Sequence, residues 1–286
     1  MIRRLAVVGA GFMGSGIAES AASAGVAVTL YEPETAPLER SRKRVSESVE
    51  RAVAREKLTA AEAEALLGRI SFESSLDALD GADAVVEAVF EDLQVKAKLF
   101  AELDARLPEA VFLASNTSSI PIAELAARTT RPERVVGLHF FSPVPVMKLV
   151  EVVAAIDSEP STVDAAVAFA RQINKEPIRT KDRAGFVVNM LLVPYLMAAV
   201  RMFEEGFATR EDIDTGMRLG CGHPMGPLTL CDFIGLDVMA AVCDSLYEEF
   251  RRPEYAAPPL LKRMVVAGHL GRKSGRGFYD YTQVDG

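Results

Sequence analysis

The chain has 286 residues, 49% of them hydrophobic and 25% charged, and a formal net charge of −8. This composition is that of a globular protein long enough for a large core and for two domains. This net negative charge argues against nucleic acid or an anionic membrane surface as the main partner, but it allows a local basic patch for a small anionic ligand.

The N-terminal sequence enters a strand within a few residues, with no apolar signal region before it, so we expect a cytoplasmic protein. The most apolar stretch, residues 184–200, contains Asn189 and Pro194 and suits a buried helix better than a membrane span. The spacing of the three cysteines fits no zinc site, and their odd number fits no complete disulfide framework. The sequence therefore predicts free thiols and no metal.

Short β-branched runs alternate with helical stretches over the first 180 residues or so. The predicted strands are residues 5–9, 26–32, 83–89, 111–116, 135–140, 149–155 and 176–180. The predicted helices between them are residues 12–24, 35–57, 93–106, 120–128 and 161–173. Several strands are apolar on both faces, which is typical of strands covered on both sides. The pattern predicts an α/β domain at residues 1–183 with a Rossmann-type, doubly wound, mainly parallel sheet.

An all-helical C-terminal domain is expected at residues 184–286, because the strand signal stops at about residue 183. Its predicted helices are residues 185–205, 210–219, 226–250 and 258–268. Thr209, with Asp212 three residues later, has the pattern of a helix N-cap.

A glycine-rich turn joins the first strand to the first helix in the sequence VVGAGFMGSGIA. Gly9, Gly11 and Gly14 fit the G-x-G-x-x-G pattern, which permits a tight turn, backbone approach to a pyrophosphate and close packing of helix on strand. Glu32 ends the next strand, where a carboxylate accepts the adenosine ribose hydroxyls and repels a 2′-phosphate. The sequence predicts a dinucleotide site that takes NAD rather than NADP.

Polar residues follow several predicted strands, at the sheet edge where open α/β folds bind ligands. The segment SNTSS carries Asn116, Ser118 and Ser119, which either cap the next helix or contact a ligand. His139 ends another strand and is either a proton-transfer group or a satisfied core residue. Glu151 stands inside the apolar run that follows, where a charge without a partner would be costly.

The chain resembles the short-chain L-3-hydroxyacyl-CoA dehydrogenases, and it is most similar to the bacterial 3-hydroxybutyryl-CoA dehydrogenases. The resemblance extends over essentially the whole chain. The motifs that carry it, in order, are GAGFMGSGIA, ASNTSS, GLHFFSPVPVMKLVEVV, GFVVN, HPMGP, DFIGLD and GRKSGRGFYDY.

The resemblance implies four catalytic positions. His139 would take the proton of the substrate 3-hydroxyl while hydride passes to NAD. Glu151 would hold the imidazole, Ser118 would bond the reacting oxygen, and Asn189 would hold the thioester side.

The resemblance also implies contacts with both nucleotides. Cofactor contacts would come from the glycine turn and Glu32, together with Glu91, Lys96, Asn116, Ser118, Ser142 and Lys273. Residues 35–67 would form a helical arm over coenzyme A, with Ser48 and Arg55, besides Ser118, at the contact positions. A cationic arm suits CoA phosphates, although its charges also suit a solvated helix face.

Three residues depart from the family pattern: Ser142 stands where asparagine is common, Ala184 replaces a proline and Met190 an arginine. The expected function is NAD-dependent oxidation of 3-hydroxyacyl-CoA and its reversal. The alternatives are a gulonate dehydrogenase-like enzyme acting on a free acid, and a non-catalytic NAD- or CoA-binding protein. Apolar content in the C-terminal helices, and the resemblance, further predict a homodimer through that domain.

Overall fold

Eight strands form one sheet in the first part of the chain. The computed structural model describes residues 1–282, and the chain divides at Arg183 and Ala184 into two units. The strands are β1 (Arg4–Val8), β2 (Ala27–Tyr31), β3 (Ile70–Glu73), β4 (Ala84–Glu87), β5 (Leu113–Ser115), β6 (Val135–Phe140), β7 (Leu149–Ala154) and β8 (Glu176–Lys181).

The order of the strands across the sheet is β3-β2-β1-β4-β5-β6-β7-β8. All neighbours are parallel except β6 and β7, which run antiparallel. The strand order reverses between β1 and β4, so a crevice opens at the carboxyl ends of these strands, where such sheets bind nucleotides. The predicted α/β fold class is confirmed.

Helices cover both faces of this sheet, and for that reason β6 is buried at every residue. They are α1 (Phe12–Ser23), α2 (Thr35–Ala54), α3 (Ala60–Leu67), α4 (Leu93–Arg106), α5 (Ile122–Ala126) and α6 (Pro160–Gln172). On α2 the buried residues Leu38, Ser41, Val45 and Val49 recur every three or four positions, so one face packs on the core and the other stays charged.

The second unit is helical, as predicted. Its helices are α7 (Val188–Glu204), α8 (Arg210–Cys221), α9 (Pro227–Ile234), α10 (Leu236–Phe250) and α11 (Pro259–Val266). The Thr209 hydroxyl accepts the Asp212 N–H at 3.1 Å, which confirms the predicted cap of α8. Within residues 1–282, no helix has both the length and the apolar character that a membrane crossing needs.

The prediction was wrong about three elements. It missed β3, a four-residue edge strand that pairs only with β2 and is too short and too exposed for a clear apolar pattern. It gave one helix over residues 226–250, whereas the chain breaks at Gly235, whose φ of +105° strains any residue with a Cβ. It extended the long arm helix to residue 57, but α2 ends at Ala54, and Glu56 takes a positive φ of +56°.

Candidate active site

The glycine turn after β1 has almost no room for side chains. Gly9 has φ +107°, and its N–H donates to the Tyr31 carbonyl at 2.9 Å. A Cβ on Gly14 would lie 1.9 Å from the Gly9 carbonyl oxygen, so the third glycine lets α1 approach the strand. A Cβ on Gly11 would meet its nearest atom only at 4.0 Å, which leaves this backbone open toward a phosphate. The turn therefore fits the pyrophosphate of NAD.

Glu32 lies directly beyond β2 and contacts the same turn. Its carboxylate accepts the Ala10 N–H at 3.2 Å, and the side chain is partly exposed. Glu32 therefore lies beside the turn that fits the pyrophosphate.

His139 and Glu151 face each other across the antiparallel pair of strands β6 and β7. They are direct partners in the strand register, with Nδ1 of His139 2.7 Å from Oε2 of Glu151. Both side chains are buried, at 7% and 0% exposure. In the tautomer whose Nδ1–H donates to the carboxylate, the lone pair that takes a proton is on Nε2. The pair lies near the carboxyl end of β6, the edge that also carries the glycine turn.

Glu91 organises the loop that carries Ser118. Its Oε1 accepts the Thr117 hydroxyl at 2.5 Å, the Ser118 N–H at 3.0 Å and the Ser119 hydroxyl at 3.0 Å. Burial raises the pKa of Glu91, but the nearby Lys96 ammonium and these hydrogen bonds outweigh it and hold the pKa below its usual range. Glu91 therefore stays ionised and fixes the loop.

Lys96, on α4, is fully buried at 1% exposure between two carboxylates. Its Nζ lies 2.5 Å from Glu87 and 3.2 Å from Glu91. Glu87 is a residue that the sequence reasoning missed. The signal was a carboxylate at the end of the buried strand β4, whose other residues are apolar.

Asn116 and Ser142 lie in the connections that follow β5 and β6. The Asn116 carbonyl oxygen accepts the Phe140 N–H at 2.9 Å, so this side chain ties the two strand ends together. Ser142 is exposed in the turn after β6. Both lie at the carboxyl edge of the sheet, the edge that carries the glycine turn.

Two of the three predicted CoA residues, Ser48 and Arg55, belong to the helical arm. The Ser48 hydroxyl donates to the Glu19 carboxylate at 2.8 Å, and Arg55 is exposed at the end of α2. Burial raises the pKa of Glu19, partly offset by this hydrogen bond. A third arm residue, Arg44, donates to the Ser15 hydroxyl at 2.8 Å and is a cation that the sequence reasoning did not single out.

The remaining two predicted residues belong to the second unit. Asn189 stands in the first turn of α7 and is partly buried. Lys273 donates to Asp237 at 2.6 Å. Burial raises the pKa of Asp237, but Lys273 and backbone hydrogen bonds bring it below its usual range.

A dinucleotide-binding sheet with an imidazole–carboxylate pair at the edge where such sheets bind ligands fits a dehydrogenase that oxidises a hydroxyl group. Residues 4–183 match the NAD-binding domain of 3-hydroxyacyl-CoA dehydrogenase, and residues 185–281 match its C-terminal domain. The chain belongs to the 3-hydroxyacyl-CoA dehydrogenase family, and the resemblance and the NAD cofactor predicted from the sequence are confirmed.

Similar proteins extend over nearly the full chain. A 3-hydroxybutyryl-CoA dehydrogenase of Mycobacterium tuberculosis is 52% identical over 283 residues, which cover 98% of this chain and 99% of that protein. The crystal structure of M. tuberculosis FadB2 gives a TM-score of 0.96 at 52% identity, covering 98% of this chain and 99% of that one. The crystal structure of (S)-3-hydroxybutyryl-CoA dehydrogenase PaaH1 from Ralstonia eutropha gives 0.94 at 44% identity, covering 99% and 100%.

Proposed function

We propose that this chain oxidises (S)-3-hydroxybutyryl-CoA to acetoacetyl-CoA with NAD and catalyses the reverse reduction. The observation that carries the proposal is the buried His139–Glu151 pair, with its 2.7 Å contact, at the edge of the sheet that also holds the glycine turn. Relatives that bear the name 3-hydroxybutyryl-CoA dehydrogenase, at 41–52% identity, support this substrate.

The proton moves through His139. NAD, when bound, accepts the hydride that leaves C3 of the substrate. Nε2 of His139 takes the proton of the 3-hydroxyl, and Glu151 stabilises the imidazolium that forms. The Ser118 hydroxyl, which has no hydrogen-bond partner among residues 1–282, is free to bond the reacting oxygen. Asn189 is our candidate for the thioester side.

The acyl carrier is bound, in this proposal, by the helical arm. Ser48 and Arg55 are seven residues apart on or at the end of α2, which brings them to one side of the helix after two turns. Arginine and hydroxyl groups on one face suit the phosphates of coenzyme A. A free hydroxy acid would leave this face without a ligand.

The test is turnover of acetoacetyl-CoA with NADH by the purified protein, compared with free acetoacetate and L-gulonate. We expect turnover of the thioester alone, and His139→Gln should lower kcat by about 10²- to 10⁴-fold while NADH still binds. Turnover of a free acid in preference to the thioester would identify the gulonate dehydrogenase-like alternative. NADH binding without any turnover would identify a non-catalytic protein.

We also propose that the second unit forms a homodimer. The apolar side chains of Phe233 and Val238, on α9 and α10, are 49% and 44% exposed, and a second copy would remove them from water. Sedimentation at micromolar concentration should show a dimer, and a monomer would contradict the proposal. The free cysteines Cys221, Cys231 and Cys243 support the expected cytoplasmic location, which cell fractionation would test.

A further inference from the structure

Glu87 is a fully buried carboxylate with several donors around it. It lies at the end of β4 with 0% exposure. Oε1 accepts the Val89 N–H at 2.6 Å and the Lys96 ammonium at 2.5 Å, and Oε2 accepts the Ser115 hydroxyl at 2.6 Å. A buried charge is retained only where partners compensate its desolvation, and here the partners are Val89 in the loop after β4, Lys96 on α4 and Ser115 at the end of β5.

Lys96 connects Glu87 to Glu91 through its ammonium group. The ammonium lies between the two carboxylates and is itself buried, so it has no alternative counter-ion in water. Glu91 in turn holds the Ser118 N–H and the hydroxyls beside it. The order of contacts is therefore Glu87, Lys96, Glu91 and then the Ser118 loop.

The charges of Glu87, Lys96 and Glu91 do not cancel. One ammonium lies within hydrogen-bond distance of two carboxylates, which leaves one net negative charge. The family resemblance implies that Glu91 and Lys96 contact the ribose of the nicotinamide. That ring is a cation in NAD⁺ and neutral in NADH, so a net negative charge nearby favours the oxidised form.

We infer that Glu87 is a positioning residue, which holds Lys96, Glu91 and the Ser118 loop in place and biases the site toward NAD⁺ over NADH. The inference rests on the proposed function, because it takes Glu91 and Lys96 as contacts of the bound cofactor. Glu87 itself is buried beneath them and acts through them.

Glu87→Gln separates this role from a purely structural one. The amide removes the net charge, so binding of NAD⁺ should weaken about fivefold relative to binding of NADH, the effect of one charge several ångströms away at an effective dielectric of about 40. The turnover number should also fall, because the Ser118 loop loses its support. A loosened fold alone would weaken both cofactor forms alike and leave the ratio of their dissociation constants unchanged.

The measurement is the dissociation constant of NAD⁺ and of NADH, by titration of the full chain, with kcat for acetoacetyl-CoA. Asp104→Asn is the matched control, because Asp104 is a buried carboxylate at the other end of α4, paired with Arg131 at 2.7 Å. It should lower thermal stability and leave both dissociation constants and kcat unchanged. A wild-type ratio in Glu87→Gln would overturn the charge bias, and wild-type kcat would overturn the positioning role.

A double variant keeps the test decisive if Glu87→Gln does not fold. Glu87→Gln/Lys96→Met removes both buried charges and leaves the one on Glu91, so the ratio of dissociation constants should equal that of wild type. Both constants should rise, because Glu91 has lost the ammonium that holds it. A changed ratio, or two unchanged constants, would overturn the inference. If instead the wild-type protein fails to reduce acetoacetyl-CoA, the proposed function fails, and that result precedes any variant.

Discussion

Replacement of Glu151 by glutamine keeps the size of the side chain and removes its charge from the pair with His139. Glu151 is fully buried, and its Oε2 lies 2.7 Å from Nδ1 of the imidazole. Oxidation of the hydroxyl converts that imidazole to imidazolium, so the variant loses a favourable charge–charge interaction that grows along the reaction path. The same interaction is present at the start of the reduction.

The magnitude follows from the geometry. Two unit charges about 4 Å apart attract by about 4 kcal/mol at an effective dielectric of about 20. The glutamine carbonyl still accepts a hydrogen bond worth about 1 kcal/mol, and the transition state carries only part of the full charge. A net loss of about 2–3 kcal/mol corresponds to a fall in kcat of about 30- to 150-fold.

The assay follows the rise in NADH absorbance with (S)-3-hydroxybutyryl-CoA at saturating NAD⁺, alongside the melting temperature of each variant. Asp83→Asn serves as the control, since Asp83 precedes β4 at the opposite edge of the sheet and accepts the N–H groups of Arg3 and Arg4 at 2.7 and 2.9 Å. The control should keep wild-type kcat. Glu151→Gln with a wild-type kcat would refute the reasoning, because the carboxylate would then serve the fold alone.

Three further predictions address the cofactor site and stability. Gly14→Ala should raise the NADH dissociation constant by roughly tenfold or more, because its Cβ would lie 1.9 Å from the Gly9 oxygen; an unchanged constant by titration would contradict the tight turn. Glu32→Ala should reduce the preference for NADH over NADPH by about 5- to 30-fold, from about 1–2 kcal/mol, and equal kcat/KM for both cofactors in wild type would exclude this role. Burial raises the pKa of Asp104, but hydrogen bonds from Thr130 and Arg131 outweigh burial and hold the pKa below its usual range. The stabilising effect of Asp104 is therefore present above the unfolded pKa of about 3.9 and is lost as the pH falls below that value. The deficit in melting temperature of Asp104→Asn should therefore be largest at neutral pH and shrink in acid, and a constant deficit would contradict the assignment.

Sequence patterns were sufficient for the features that depend on neighbours along the chain. The glycine turn, the start of α4 at residue 93 and the cap at Thr209 were all predicted, since each depends on a few consecutive residues. Gly235 shows the limit of such patterns. Its apolar surroundings continue a helical period, and only the packed backbone shows the positive φ that separates α9 from α10.

The candidate site was predicted in part. His139 stood out as a histidine at a strand end, but its pairing with Glu151 came from family resemblance, because residue types alone do not give the register of two strands. Glu87 was missed for a related reason. Its partners Lys96 and Ser115 come from a helix and from another strand, so the sequence shows only a carboxylate among apolar residues.

By itself, then, the sequence determined the fold class, the nucleotide turn and the family, because hydrophobic period, glycine spacing and motif order are properties of the linear chain. The tertiary structure decided which charges meet. Antiparallel pairing of β7 on β6 places Glu151 opposite His139, and the packing of α4 on the sheet buries Lys96 between Glu87 and Glu91. The physical reason is that a buried charge is stable only beside its partner, and that partner is chosen by strand register and helix packing rather than by distance along the chain.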